Sequence, residues 1–140
     1  MSKEVIRKKL DQIKSLLEEL ATLTQKPFAE FVQGFVTVRA AERNFQLIVD
    51  LACDINTQIL VEREKKIPDS YRQSFADLAT EGVLSQELAK TLIDSAKIRN
   101  ILVHEYDFEE DYEKFYQSVK MLIPFYRDYI ATIHAFVEKV

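Results

Sequence analysis

The stretch Ala96-Lys97-Ile98-Arg99-Asn100-Ile101-Leu102-Val103-His104-Glu105-Tyr106 gathers an arginine, an asparagine, a histidine and a tyrosine within eight positions. Arg99 stays charged and only donates hydrogen bonds, in a planar fork that matches phosphate oxygens. His104 is the side chain best suited to exchanging a proton near neutral pH. Tyr106 donates and accepts, and its hydroxyl is also a nucleophile. An imidazole and a guanidinium together can cleave a phosphodiester bond of RNA. The imidazole takes the proton from the 2′-hydroxyl or gives one to the leaving oxygen, and the guanidinium holds the charge building on the phosphoryl oxygens. No metal is required for that.

The spacing constrains this chemistry. On a continuous helix Arg99 and Tyr106 share a face, whereas His104 points about 140° away from Arg99 at roughly 100° per residue. For the two to converge, either the helix loosens near Val103–Glu105 or a second subunit supplies the other half. Unaided, the stretch is weak grounds for catalysis, because a lone histidine near a helix end is more often a solvated residue or a dipole partner.

The elements that must position these residues are helical. Val5, Ile6, Leu10, Ile13, Leu16, Leu17, Leu20 and Leu23 step by threes and fours, the period of an amphipathic helix over residues 3–24, with Ser2 as its cap. Pro27 suits the first position of a second helix. Its stripe runs from Phe28 through Phe45, Ile48 and Ile55 to about Val61, with Gly34 as a bend rather than a certain break. The segment EREKKIPDS reads as a loop, and a short helix over 70–81 is capped by Ser70 and ended by Gly82. Ser85 opens the helix that carries Arg99. A last helix, starting near Asp107–Glu110 and running to about Glu138, contains Pro124 and is expected to kink there. The reading is all-α: an up-and-down bundle of four main helices and one short one, a single domain over residues 1–140.

Composition agrees. The chain has 140 residues, 47% hydrophobic and 30% charged, enough for one core. Its 2 Gly and 3 Pro leave little for the tight turns of a small β-fold. A single cysteine, Cys53, excludes an internal disulfide and a Cys-based zinc cluster, and 2 His make a His-rich metal site unexpected. A net charge of −4 argues against coating nucleic acid by bulk electrostatics. No stretch approaches the roughly 18 apolar residues of a membrane span, and the charged N-terminus has no apolar core of a signal sequence. The cytoplasm is the expected location, with no membrane association.

Other residues carry weaker signals. Arg39, Glu42 and Arg43 share one helix face; they either line an interface groove, with Glu42 orienting Arg99, or form an ordinary ion-pair cluster. Asp50 and Asp54 lie one turn apart, but without a His or a third acid a polar helix face is favoured over a metal site. Arg63, Lys65, Lys66 and Arg72 form a basic patch for RNA or a partner, or a solvated loop. Tyr112, Phe115, Tyr116, Phe125, Tyr126 and Tyr129 could stack bases, yet their helical spacing favours core or subunit packing. Cys53 reads as a buried small hydrophobe, and His134 has no companion.

Arg99-Asn100-Ile101-Leu102-Val103-His104-Glu105-Tyr106 resembles the Arg-x4-His-x-Tyr signature of the HepT-like toxins, within the all-α HEPN superfamily. Arg39-Ala40-Ala41-Glu42-Arg43-Asn44 and Ile48-Val49-Asp50-Leu51-Ala52-Cys53-Asp54-Ile55-Asn56 resemble that family's long second helix. Ile67-Pro68, Tyr71-Arg72, Phe75 and Leu78-Ala79 resemble the segment before its motif helix. The likeness covers essentially the full length and implies a homodimer with a metal-independent endoribonuclease site built at the subunit interface from both copies of the motif. It implies Arg99 and His104 as catalytic, Asn100 as supporting, no cofactor, and an RNA substrate. It also implies a type VII-like toxin–antitoxin system, whose partner is an MNT-type nucleotidyltransferase antitoxin that transfers AMP to Tyr106. A bulky anionic group there would block RNA and repel its phosphates. The alternative is a non-catalytic helical subunit that binds a nucleotidyltransferase and its substrate. A blander alternative is an interaction module whose long helix makes a dimer.

Overall fold

A computed structural model describes residues 3–104 and 111–140, all of its regular structure helical. The order is α1 (Lys3–Leu23), α2 (Phe28–Phe31), α3 (Phe35–Glu62), α4 (Tyr71–Thr80), α5 (Gln86–His104) and α6 (Tyr112–Lys139). Ser2, proposed as a cap, and Asp107–Glu110, proposed as a helix start, lie outside the described residues. No helix among the described residues is long and apolar enough to cross a membrane.

Four long helices close a ring, α1 against α3, α3 against α5, α5 against α6 and α6 against α1, while α4 packs on α3 and α5. The directions alternate. Arg7 near the start of α1 meets Glu138 at the end of α6 at 2.6 Å, and Lys9 meets Asp54, late in α3, at 3.7 Å. The inward stripes are those the periodicity gives: Ile6, Ile13 and Leu20 from α1, Phe45, Ile48 and Ile59 from α3, Val119, Tyr126 and Val137 from α6, all buried. Such side chains contribute roughly 1.5–3 kcal/mol each when removed from water. The aromatic residues of α6 belong to this core. Phe115, Tyr116, Tyr126 and Tyr129 are buried, so base stacking on them is ruled out.

The second helix differs from expectation, because Gly34 is a break and not a bend. It adopts an extended conformation (φ −113°, ψ 118°) as the cap of α3, leaving α2 as a single turn. Tertiary packing accounts for this corner. Phe31 is buried and packs with Phe28 against the Tyr116 ring, at centroid distances of 5.1 Å and 5.5 Å, and the Tyr116 hydroxyl donates to Lys26 O at 2.5 Å. Pro27 caps α2 from outside rather than occupying its first position. At Pro124 the helix carries on uninterrupted. The residue is exposed, and so is Lys120, whose carbonyl loses its helical donor and stays within reach of water.

Two helix ends show the same motif with different residues. After α4, Gly82 N donates to Ala79 O and Val83 N to Leu78 O, at 3.0 Å and 2.9 Å. After α3, Glu64 N donates to Val61 O and Lys65 N to Leu60 O, at 3.0 Å and 2.9 Å. Each places one residue in the left-handed region, Gly82 at φ +75° and Glu64 at φ +60°. A left-handed conformation costs an L-residue roughly 1–2 kcal/mol and glycine almost nothing. Gly82→Ala therefore lowers stability by about 1 kcal/mol, with no clash involved because a Cβ there meets open space. Glu64→Gly is expected to raise stability by a few tenths of a kcal/mol, offset in part by greater unfolded-state entropy. Denaturant unfolding of both variants checks the opposite signs.

A polar network runs through the otherwise apolar centre. Tyr129 donates to Asn56 Oδ1 at 2.6 Å, Asn56 Nδ2 donates to Ser74 Oγ at 3.1 Å, and Ser74 Oγ donates to the Tyr71 carbonyl at 2.7 Å. Tyr126 and Ser95 share a hydrogen bond of 2.6 Å. Buried polar groups persist only when so paired, and these bonds fix α4 and α5 on the α3–α6 pair. Burial pushes the neighbouring Cys53 thiol up to about 12, so it is a packed hydrophobe rather than a reactive thiolate.

Candidate functional site

Arg99 lies in the last turns of α5, which remains helical through His104. Its side chain is only 15% exposed. A guanidinium so placed needs a partner, since an unpaired charge out of water is costly. The partner comes from the facing helix: Arg99 Nε donates to Asp50 Oδ1 at 2.8 Å. Nη1 donates to the neighbouring Asn100 Oδ1 at 3.3 Å. The guanidinium carbon also stands 4.6 Å from the centroid of the Tyr71 ring, within cation–π range. Three elements thus converge on one cation: α3 through Asp50, α4 through Tyr71 and α5 through Asn100. Burial, and then the negative charge of Asp50, push the Tyr71 phenol up to about 12, so the ring stays neutral across ordinary pH.

His104 is exposed at the last described turn of α5. Since the helix does not loosen before it, His104 projects about 140° around the axis from Arg99 and roughly 7–8 Å further along it. The two side chains of one chain therefore diverge. Tyr106, which the resemblance marks for modification, lies outside the described residues, as does Glu105.

Arg39 and Glu42 form an ion pair of 2.6 Å on α3. Glu42 does not orient Arg99; Asp50 does. Asp50 lies eight residues further along the same helix, roughly 12 Å away. The alternating helix directions put His104 on the side of Asp50 toward Glu42 and the exposed Arg43, so this cluster stands nearer His104 than Arg99 in level. Hydrogen bonding to Glu42 holds the Arg39 guanidinium above its usual range.

Asp50 and Tyr71 are site residues that sequence reasoning missed. Asp50 and Asp54 lie one turn apart, but their carboxylates part: one takes Arg99, the other Lys9. Among the described residues no three His, Cys, Asp or Glu side chains gather as a metal site. A signal existed in the sequence. Asp50 falls within a turn of the buried Ile48, Val49 and Cys53, where an acid requires a cation. Two carboxylates offset half the charge of the basic patch: Arg63 and Lys65 share Glu81 at 3.2 Å and 3.5 Å, and Lys66 lies 3.6 Å from Asp69. His134 has a companion after all, Glu138 Oε1 at 3.9 Å.

Comparison with known proteins places this geometry in context. Residues 6–133 match the family described as "Ribonuclease HepT-like". A tRNA nuclease HepT of Aphanizomenon flos-aquae is 28% identical over 133 residues, covering 95% of this chain and 90% of that protein. An mRNA nuclease HepT of Shewanella oneidensis is 29% identical over 105 residues, covering 66% of this chain and 79% of that one. The tri-AMPylated Shewanella oneidensis HEPN toxin, solved in complex with its MNT antitoxin, superposes with a TM-score of 0.86 at 26% identity, over 94% of this chain and 97% of the other. With the all-helical ring and the Arg99–His104 spacing already established, a match running nearly end to end leaves one conclusion: this chain belongs to the HepT-like ribonuclease family.

Proposed function

We propose that the chain is the toxin of a toxin–antitoxin pair, an endoribonuclease that needs no metal and works as a cytoplasmic homodimer. The observation that carries this reading is Arg99, a mostly buried cation preset on three sides, about one and a half turns before an exposed histidine. In this reading His104 takes the proton from a 2′-hydroxyl, whose oxygen then attacks the adjacent phosphorus. The bond from phosphorus to the 5′-oxygen breaks, that oxygen takes a proton from water, and a 2′,3′-cyclic phosphate remains. Arg99 binds the phosphoryl oxygens as charge grows on them. Because Arg99 and His104 of one chain diverge, the reacting pair is Arg99 of one protomer with His104 of the other, and Asn100 steadies the arginine. The test is incubation of purified protein with labelled tRNA and mRNA in the presence of EDTA. Cleavage that persists under chelation and disappears in His104→Ala is the expected result; dependence on an added divalent ion would overturn metal independence.

The partner in this proposal is an MNT-type nucleotidyltransferase that silences the toxin by AMP transfer to Tyr106. The support is the AMPylated relative in its antitoxin complex and a tyrosine two residues after His104. Co-expression with such a partner is expected to add adenylyl mass to a peptide containing residue 106, read by intact and peptide mass spectrometry, and Tyr106→Phe should lose it. A second reading, a non-catalytic subunit of the nucleotidyltransferase, draws support from the net charge of −4 and from the Glu81 and Asp69 carboxylates that offset half the charge of the basic patch. Absence of RNA cleavage under every condition, together with stable binding to the nucleotidyltransferase, would favour it.

A further inference from the structure

The way Arg99 is held distinguishes its atoms. Nε is engaged by Asp50 and one Nη1 hydrogen by Asn100, while Nη2 has no hydrogen bond among the described residues. Two edge contacts, one of them long at 3.3 Å, restrain the tilt of the fork only loosely. The face contact removes the tilt. Tyr71 supplies it from the first position of α4, and that position is itself unusually well anchored. Ser70 caps the helix by accepting from Gln73 N at 3.1 Å, and the Tyr71 carbonyl receives the Ser74 hydroxyl at 2.7 Å. Through Asn56 and Tyr129 the same network reaches α3 and α6. The ring is therefore a fixed surface rather than a loose neighbour.

We propose that Tyr71 is a positioning residue for RNA cleavage: its ring face sets the plane of the Arg99 guanidinium so that Nη2 is presented to the phosphate. This rests on the reading of Arg99 as the phosphate-binding group. A neutral ring suits the task better than a second carboxylate. It holds the cation by its quadrupole and leaves the positive charge uncancelled for the phosphoryl oxygens. An aliphatic side chain of similar bulk would fill the space without defining a plane.

The experiment varies ring electron density at constant shape in the full-length protein. Tyr71 is replaced by Phe, then by mono-, tri- and pentafluorinated phenylalanine, with Tyr71→Leu as the variant lacking a ring. Two readouts are followed: kcat and KM on labelled tRNA, and solvent exchange of the Arg99 Nε–Hε proton by NMR, assigned through its loss in Arg99→Lys. Tyr71→Leu is expected to lower kcat and speed Hε exchange by about tenfold, the scale of a partly desolvated cation–π contact. Tyr71→Phe rescues most of that loss, and the fluorinated series loses it again in steps, with the melting temperature flat throughout. Rates and exchange indifferent to fluorination would overturn the proposal, because a merely structural ring responds to shape alone. Should Tyr71→Leu fail to fold, the fluorinated series still decides. Should wild-type protein cleave no RNA, the nuclease reading falls, and Hε exchange across the series decides the platform by itself.

Discussion

Alanine at Arg99 or at His104 is expected to reduce RNA cleavage by about a hundredfold to a thousandfold and to release a host from growth arrest when the toxin is expressed alone. The two losses have different origins. Without His104 no imidazole remains in the motif to move the 2′-hydroxyl proton. Without Arg99 the growing charge on the phosphoryl oxygens meets water instead of a preset cation. Arg99→Ala also leaves the Asp50 carboxylate, 26% exposed, without its ion-pair partner, so it lowers stability by about 1–3 kcal/mol. His104 is exposed, and its removal leaves stability nearly unchanged. Growth arrest, cleavage and thermal unfolding measured side by side check this pattern. Arrest that survives both substitutions would remove the catalytic assignment.

Mixing the two inactive variants is expected to restore activity. A continuous helix through His104 sends the imidazole and guanidinium of one chain in different directions, so the proposed reaction draws its pair from two protomers. A heterodimer of Arg99→Ala with His104→Ala retains one complete cross-subunit pair. Random re-association then gives roughly a quarter of the wild-type rate, since about half the dimers are mixed and each carries one pair of two. If instead the pair formed within one chain, no dimer in the mixture would hold an intact pair, and the rate would stay at background. Covalently linked dimers of the two variants provide the stricter form of the same measurement.

The fold was legible because the stripes on α1, α3 and α6 are long and regular, and side chains such as Ile13, Ile48 and Ile133 have no other way to leave water. Local punctuation was legible where one residue decides it. Ser70 and Gly82 bound α4 as their chemistry dictates. The break at Gly34 was not, because nothing local distinguishes a tolerated helical glycine from one turned outward; the Phe31–Tyr116 contact that decides it is remote in sequence. The site divides the same way. Arg99, Asn100 and His104 stand together in the chain and are visible as a motif. Asp50 and Tyr71 reach Arg99 from 49 and 28 residues away, and only the α3–α4–α5 packing brings them there. Glu42 was a reasonable candidate for the acid on that helix, and it sits about two turns from where the arginine arrives.

The Arg7–Glu138 bridge has a practical consequence. It draws Lys3 and Lys139 to the same pole of the bundle, while α5 delivers His104 to the opposite one. A reporter or affinity handle fused at either extremity would therefore stand at the far pole from His104, and a short peptide bridge between the extremities would permit a circularly permuted version reopened in the 64–69 loop.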